Sequence, residues 1–208
     1  MICIVGEISP YNFERINHTP QDLPHIKTIR FRFRDASNNL YLVLVDHFEH
    51  DLYVVKFHLQ RQVRHRLKYN NIINAYHARK VLHKCVAIGQ RIYNENPKAS
   101  FGFVGSPRIR EFKDARGLEG YKLTKRYRVY FNLAATFFSS DVFDHIKNDN
   151  QSTYIMINKK HAIEKPGLFE AMRKTIGTSY SMDQLYPTYE ILTAKEKKKS
   201  KNSSTGQM

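Results

Sequence analysis

The chain has 208 residues, of which 41% are hydrophobic and 25% are charged. This composition predicts one globular domain and excludes a collagen-like, coiled-coil or largely disordered protein. Thirty-four lysines and arginines stand against 19 acidic residues, so the formal net charge is +15. Such a surplus of positive charge repels itself unless an anion lies nearby, and a polyanion is therefore the expected partner.

The cysteines and the apolar runs indicate the compartment. Cys3 and Cys85 lie far apart in apolar contexts and form no CxxC pair, which favours a reduced, cytoplasmic protein with no metal or cofactor. The first apolar stretch ends at Glu7 and Pro10, so no secretory signal is predicted. A membrane span needs about 18 consecutive apolar residues, and none is predicted here.

The first third of the chain predicts an arm followed by three antiparallel strands. Residues 1–26 contain three prolines among polar residues, which is typical of a wrapped arm. Residues 27–34 alternate strictly between apolar side chains and cations, so we expect a half-buried strand with a cationic outer face. That face carries Arg30, Arg32 and Arg34. Further strands are predicted over residues 40–45 and 52–60, with a turn over residues 46–51 between them.

A long amphipathic helix is predicted over residues 74–94, and Asn96 and Pro97 end it. The side of this helix opposite its apolar stripe is basic. It carries Arg79, Lys80, His83, Lys84 and Arg91. A short strand over residues 100–104 follows, and then a charged loop over residues 106–123, which is longer than most connections and is therefore functional or mobile.

The second half predicts further helices and one buried strand. Thr124 is a suitable cap for a helix over residues 125–138, although alternating charged and apolar side chains also fit a strand over residues 125–131. Helix is the preferred interpretation. A short helix is predicted over residues 139–146, a buried strand over residues 153–158, and a last helix after Pro166.

Together these elements predict an α+β fold. The expected mixed sheet has an N-terminal antiparallel three-strand meander, followed by helix, strand, helix and strand, with the helices packed on the sheet. Residues 1–193 are predicted to form a single domain, and residues 194–208 a disordered lysine-rich tail. The tail holds five lysines and one glutamate, so it carries +4 of the +15 and leaves +11 on the folded part.

Residues 75–160 carry a recognisable order of short motifs. Asn96-Pro97 ends a helix, Phe103-Val104-Gly105-Ser106 is a strand with a Gly-Ser turn, and Arg126-Tyr127-Arg128-Val129-Tyr130 follows. In this order the chain resembles small, uncharacterised bacterial α/β proteins, from which the loop after Ser106 departs. The resemblance implies the α/β layout and no activity.

Lys125, Arg126 and Arg128 fall in the first turn of a predicted helix, where the helix dipole favours anions and disfavours cations. A phosphate bound between the first backbone N–H groups and these side chains would compensate, and Gly117 and Gly120 would let backbone approach it. Alternatively the loop supplies the counter-charge, or the segment is a strand. The loop carboxylates are Glu111, Asp114 and Glu119. The spacing does not match a Walker loop, so nucleotide hydrolysis is not predicted.

The cationic face of the long helix and the arginine face of the first long strand are also candidate phosphate contacts. For each, the alternative is a solvated surface without a ligand. Whether the two faces join is not readable from the residues.

Two further motifs favour structure over binding. Phe101-Gly102-Phe103-Val104 overlaps the core of the RNA-recognition octamer, but Ala99 stands in place of its basic first residue, so we expect core packing. His47 and His50 form an HxxH pair with no matching distant pair. We expect a hairpin turn and no metal there.

The charge pattern therefore favours a nucleic-acid-binding protein that contacts the phosphate backbone with low sequence specificity. One alternative is a small metal-independent ribonuclease. Its candidate catalytic groups are His83, Arg126, Arg128 and Tyr130. Another is a non-enzymatic subunit that docks an acidic protein partner or a phosphorylated ligand. DNA or RNA is the expected partner, and no membrane association is predicted.

Overall fold

The structure is a computed structural model that describes residues 16–18, 25–35, 37–64, 69, 75–105 and 122–180. The strands are β1 (Ile16–His18), β2 (Lys27–Arg34), β3 (Leu40–Phe48), β4 (Leu52–Leu59), β5 (Ser100–Val104), β6 (Phe143–Asn148) and β7 (Thr153–Asn158). The helices are α1 (Ala75–Glu95), α2 (Lys125–Phe137), α3 (Lys159–Glu164) and α4 (Leu168–Ser179).

All seven strands form one mixed sheet with the order β1-β2-β3-β4-β5-β7-β6. The first four strands are an antiparallel meander. Because α1 carries the chain back along the sheet, β5 pairs parallel with β4. β7 pairs antiparallel with both β5 and β6. The predicted α+β fold, with its N-terminal antiparallel meander, is confirmed.

Helices pack on both faces of the sheet. On the side that we call the α1–α2 face, Phe31, Val43 and Tyr154 are buried against residues of α1 and α2 such as Ile88 and Tyr127. The opposite side, the α4 face, packs chiefly on α4. Its buried core contains Leu52, Val54, Ile155, Ile157, Leu168, Met172 and Ile176. Full burial of each such side chain stabilises the fold by about 1.5–3 kcal/mol.

Most predicted elements are confirmed, and helix is the correct interpretation of residues 125–138. The hydroxyl oxygen of Thr124 accepts a hydrogen bond from the Tyr127 backbone N–H at 3.2 Å, which satisfies one of the donors at the helix start. The helix after Pro166 and the strand over residues 153–158 are also present.

The predicted short helix over residues 139–146 is wrong, because this segment contains β6. Phe143 and Ile146 have the spacing of one helix face, but in a strand they point to opposite sides. Phe143 belongs to the core of the α1–α2 face, and Ile146 packs against that of the α4 face. Because helices pack on both sides of the sheet at β6, each of the two residues contacts a hydrophobic core although they point in opposite directions.

The predicted turn over residues 46–51 is also too long. β3 continues through Asp46, His47 and Phe48, and a single 3₁₀ turn, Glu49–Asp51, makes the connection to β4. The short β1 and α3 were not predicted. Residues 1–15 of the predicted arm, the body of the loop after Ser106 and the lysine-rich tail lie outside the described residues.

Candidate functional site

The three strand arginines lie on the α4 face of the sheet. Ile29, Phe31 and Phe33 alternate with them on β2 and are buried on the α1–α2 face. Because successive side chains of a strand point to opposite faces, the arginines project from the other side. We call Arg30, Arg32 and Arg34, which are all exposed, the arginine row.

The arginine row has apolar neighbours on β3. Leu44, Leu42 and Leu40 lie directly opposite its three members in the antiparallel register. No carboxylate therefore faces the row from the adjacent positions of β3. Alternate residues of an antiparallel strand are about 6.8 Å apart, so the cations form a regular series. Arg34 also donates to the carbonyl oxygen of Asn38 at 3.0 Å.

A second group of cations lies where α1 and α2 begin. These helices follow β4 and β5, which are parallel, so both begin beyond the same ends of those strands. The helices run in the same direction, since Leu82 and Tyr130 line one small apolar pocket and Gly89 lies beside Phe138 further along. Their first turns therefore lie at one end of the helical layer. We call this group, consisting of Arg79, Lys80, Lys125, Arg126 and Arg128, the helix-end surface.

The helix-end surface combines cationic side chains with the positive ends of two helix dipoles. Neither α1 nor α2 has an acidic residue in its first turn. Arg126 is half-buried and donates to the backbone carbonyl of Tyr69, whereas Lys125 and Arg128 are exposed. The two glycines and three carboxylates predicted to influence this site all lie outside the described residues.

The structure thus separates the basic residues into two surfaces. It brings the start of the long helix together with Lys125, Arg126 and Arg128, and it puts the arginine row on the opposite face of the sheet.

The other basic residues of α1 make contacts within the protein. His83 packs edge-on against Phe137, with ring centroids 5.3 Å apart. Partial burial lowers the pKa of Lys84. Arg91 donates from its Nε atom to Glu95 at 3.0 Å. The basic face of α1 is therefore less uniform than its sequence implies.

The four candidate ribonuclease residues do not form one cluster. Arg126 and Tyr130 are one turn apart on α2, but the Tyr130 ring is packed between Phe57 and Phe103. Burial raises the Tyr130 pKa to about 12. His83 contacts Phe137, which lies seven residues and about 10 Å beyond Tyr130 along the helix. The structure therefore brings Arg126 near Tyr130 and leaves His83 apart.

A buried polar cluster that the sequence analysis did not single out is centred on Asp46. This carboxylate is 3% exposed and forms an ion pair with Lys56. It accepts hydrogen bonds from the Thr28 hydroxyl at 3.0 Å and from the Tyr180 hydroxyl at 2.6 Å. His25 adds an Nε2 contact of 2.8 Å to the Thr28 hydroxyl. The sequence feature that could have indicated this cluster is Asp46 itself, a single aspartate at the end of the apolar run over residues 40–45.

Lys56 contributes little to the cationic surface beside it. Its ammonium is paired with Asp46 and lies 5.5 Å and 5.9 Å from the ring centres of Tyr180 and Tyr69. Burial raises the pKa of both tyrosines, so their hydroxyls stay protonated. The cluster therefore joins α4 to the sheet beside the arginine row.

The two motifs expected to be structural are packed into the fold. Phe101 is 1% exposed and lies in the core of the α1–α2 face, as predicted. His47 stacks on Tyr53 with ring centroids 4.3 Å apart, and its Nε2 lies 3.5 Å from Asp51. In the described ranges no three His, Cys, Asp or Glu side chains come together as ligands for a metal ion.

Within the described part of the chain, no helix is long and apolar enough to cross a bilayer. Comparison of the chain with protein-family models, with curated proteins and with solved structures found no match.

Proposed function

We propose that the protein binds nucleic acid through the phosphate backbone, with low sequence specificity. The observation that carries this proposal is the arginine row, because it presents three exposed cations at a regular spacing on one strand. A guanidinium group forms paired hydrogen bonds to a phosphate, which makes arginine better suited to this contact than lysine. The row therefore fits an extended series of phosphates.

Single-stranded nucleic acid suits the row better than a duplex. Proteins that bind single strands without sequence preference follow the backbone with a line of cations. The row follows one strand, β2, and its neighbours on β3 are leucines, which offer apolar surface to the sugars and bases. Arginine can also pair with the edge of guanine, so the low specificity proposed here requires that the row contacts phosphates and not bases.

The helix-end surface is a second phosphate contact in this proposal. It lies on the opposite face of the sheet, so a short oligonucleotide that lies flat on the arginine row does not reach it. Substitutions in the two surfaces are therefore expected to have independent effects on the affinity for short oligonucleotides, and both sets are expected to lower the affinity for long ones.

The test is fluorescence-anisotropy binding of labelled single- and double-stranded DNA and RNA over a series of salt concentrations. The full chain is compared with Arg30→Gln/Arg32→Gln/Arg34→Gln. The matched control, Lys98→Gln/Lys160→Gln/Lys174→Gln, removes three charges at exposed positions elsewhere. If the row contacts three phosphates of a single strand, the salt slope of the row variant falls by about 2, since each phosphate contributes about 0.7.

The same assay includes Arg79→Gln/Lys80→Gln/Arg128→Gln for the helix-end surface. A fourth variant replaces all five tail lysines by glutamine. Lys195, Lys197, Lys198, Lys199 and Lys201 are the residues concerned. Weaker binding of short and long ligands by the row variant, and of long ligands by the helix-end variant, supports the proposal if the control slope is unchanged. Equal losses in the row variant and the control, or no binding at about 0.15 M salt, would contradict it.

A further inference from the structure

A cleft of about 330 Å³ lies between α4 and the hairpin of β6 and β7 on the α4 face. Its apolar lining is formed by Ile146, Ile155 and Ile176, and Phe169 lies at its side with 36% of its surface exposed. The volume is within the range of small-molecule sites, which combine apolar walls with a few polar groups.

Gly177 lines this cleft without a side chain that would extend into it. It lies within α4, where glycine is less favourable than alanine. A Cβ atom added at this position would meet nothing within 4 Å, so no close packing requires a glycine there. Gly102, by contrast, would bring a Cβ to 2.6 Å from Ile176. A larger side chain at position 177 would therefore occupy open space beside the cleft.

Arg173 is the lining cation that belongs to α4. Arg173 donates from Nε to the Glu170 carboxylate at 2.9 Å, and its Nη2 lies 2.9 Å from the same carboxylate oxygen as an ion pair. A guanidinium has five N–H donors, so this pair leaves donors for an anion at the cleft. The other charged lining residues are engaged on the opposite side of the sheet. Asp149 accepts from the Tyr127 hydroxyl at 2.7 Å, and the Lys147 ammonium lies over the Phe131 ring.

The hairpin turn adds side-chain amides to the cleft. Asn148 donates from Nδ2 to the Gln151 side-chain oxygen at 2.9 Å, and Asn148 Oδ1 accepts from the Gln151 backbone N–H at 3.3 Å. Each amide has two N–H donors and an oxygen with two lone pairs, so both retain hydrogen-bonding capacity. Asn150 also lines the cleft.

From this combination we propose that the cleft binds a mononucleotide unit. A purine or pyrimidine ring fits the apolar lining beside Phe169, the amides of the turn face its polar edge, and Arg173 holds the phosphate. The ligand is either a free mononucleotide or a nucleotide of a bound strand, which share this chemistry. The inference does not depend on the arginine row, which lies on β2, four strand positions away from β7 in the sheet.

The experiment is an NMR titration of the ¹⁵N-labelled full chain with AMP and UMP as probes. Ribose 5-phosphate lacks the base, and 4-hydroxybenzoate has an aromatic ring and an anion without the edge of a base. Saturable shifts confined to α4 and the β6–β7 hairpin are expected with the nucleotides only. A short labelled oligonucleotide is added in a separate arm, to tell a nucleotide of a strand from a free one.

Two variants locate the ligand. Gly177→Leu is expected to fill the cleft without lowering the melting temperature and to weaken AMP binding by at least about tenfold. Arg173→Gln is expected to weaken AMP binding about tenfold and to leave adenosine binding unchanged. The matched control is Arg91→Gln, which also removes an exposed helix arginine paired with a glutamate.

Three results would overturn the inference. They are the absence of saturable shifts at the cleft, unchanged AMP affinity in a folded Gly177→Leu variant, and equal affinity for 4-hydroxybenzoate. Failure here is distinguishable from failure of the proposed function. The arginine-row variant is expected to bind AMP normally, and the Gly177→Leu variant to retain the salt slope that depends on the row.

Discussion

The hydroxyl group of Tyr180 donates a 2.6 Å hydrogen bond to the carboxylate of Asp46, a residue 134 positions earlier in the chain. The bond joins the end of α4 to β3 through a charged acceptor that is 3% exposed. Hydrogen bonds to charged groups are stronger than those between neutral groups. If the donor to a buried carboxylate is removed, no water molecule takes its place, and the charge is left without that hydrogen bond.

Tyr180→Phe is therefore expected to lower the free energy of unfolding by about 1–3 kcal/mol. The change removes one hydroxyl and keeps the ring that contacts Phe48. Urea unfolding measures the loss, and Thr28→Val, which removes the donor to the other carboxylate oxygen, gives an independent comparison. A loss below about 0.5 kcal/mol in both variants would mean that the Asp46 cluster adds little stability.

Gly105 is predicted to tolerate no side chain. A Cβ atom there would lie 2.5 Å from the Tyr127 Cβ and 2.7 Å from the Tyr127 backbone nitrogen. The Gly105 carbonyl also accepts from the Thr124 hydroxyl at 2.8 Å, so the end of β5 is held against the start of α2. Gly105→Ala is expected to cost about 1–3 kcal/mol, measured by urea unfolding.

Gly177→Ala is the control for that substitution, since its new methyl group meets nothing within 4 Å. This variant is expected to gain up to about 1 kcal/mol through helix propensity. Equal free energies of unfolding of the two alanine variants would show that the start of α2 moves to make room for the methyl group at position 105 without loss of stability.

The sequence predicts the sheet best where a strand has a single covered face. Alternation over residues 27–34 identified both the buried side of β2 and the arginine row. β6 was missed because Phe143 and Ile146 serve different cores, and the helical spacing that they share is accidental. Local periodicity does not reveal that a sheet is covered on both sides.

Contacts and distances between residues that are far apart in the chain were not predictable from the sequence for a similar reason. The separation of the arginine row from the helix-end surface follows from which sheet face each helix covers, and hence from tertiary packing. The Asp46 cluster draws Tyr180 from the far end of the described chain, so no local pattern around Asp46 indicates its partners. The cleft beside Gly177 likewise depends on how α4 lies on the sheet.

Cys85 is predicted to be chemically inert in the folded protein. It is 5% exposed between α1 and the sheet, and burial raises its pKa to about 12. The thiolate is the nucleophile that attacks thiol reagents, so in a Cys3→Ser background the rate of Cys85 modification at about pH 8 should be at least about a hundredfold below that of free cysteine. Unfolding in urea should restore the ordinary rate. A native rate close to that of free cysteine would show that α1 opens readily.

Acidification is expected to destabilise the fold through two histidines. Burial lowers the pKa of His25 and of His47, the effect of burial being larger than that of the nearby Asp46 and Asp51. Below the ordinary histidine pKa of about 6.5, the unfolded chain therefore binds protons that the folded chain does not. The free energy of unfolding must then fall as the pH is lowered through this value towards the folded-state pKa values.

Urea unfolding between about pH 7.5 and pH 5.5 measures how the free energy of unfolding depends on pH. Exposed carboxylates titrate at lower pH and therefore do not contribute in this range. The parent chain is expected to lose stability steadily on acidification, and His25→Gln/His47→Gln to show a shallower slope, whatever its absolute stability. Because the comparison concerns slopes, the loss of the His47 stack on Tyr53 does not affect it. An unchanged slope in the double variant would assign the dependence to other groups. A stability that rises on acidification would mean that both imidazoles gain protons on folding, in conflict with their buried positions.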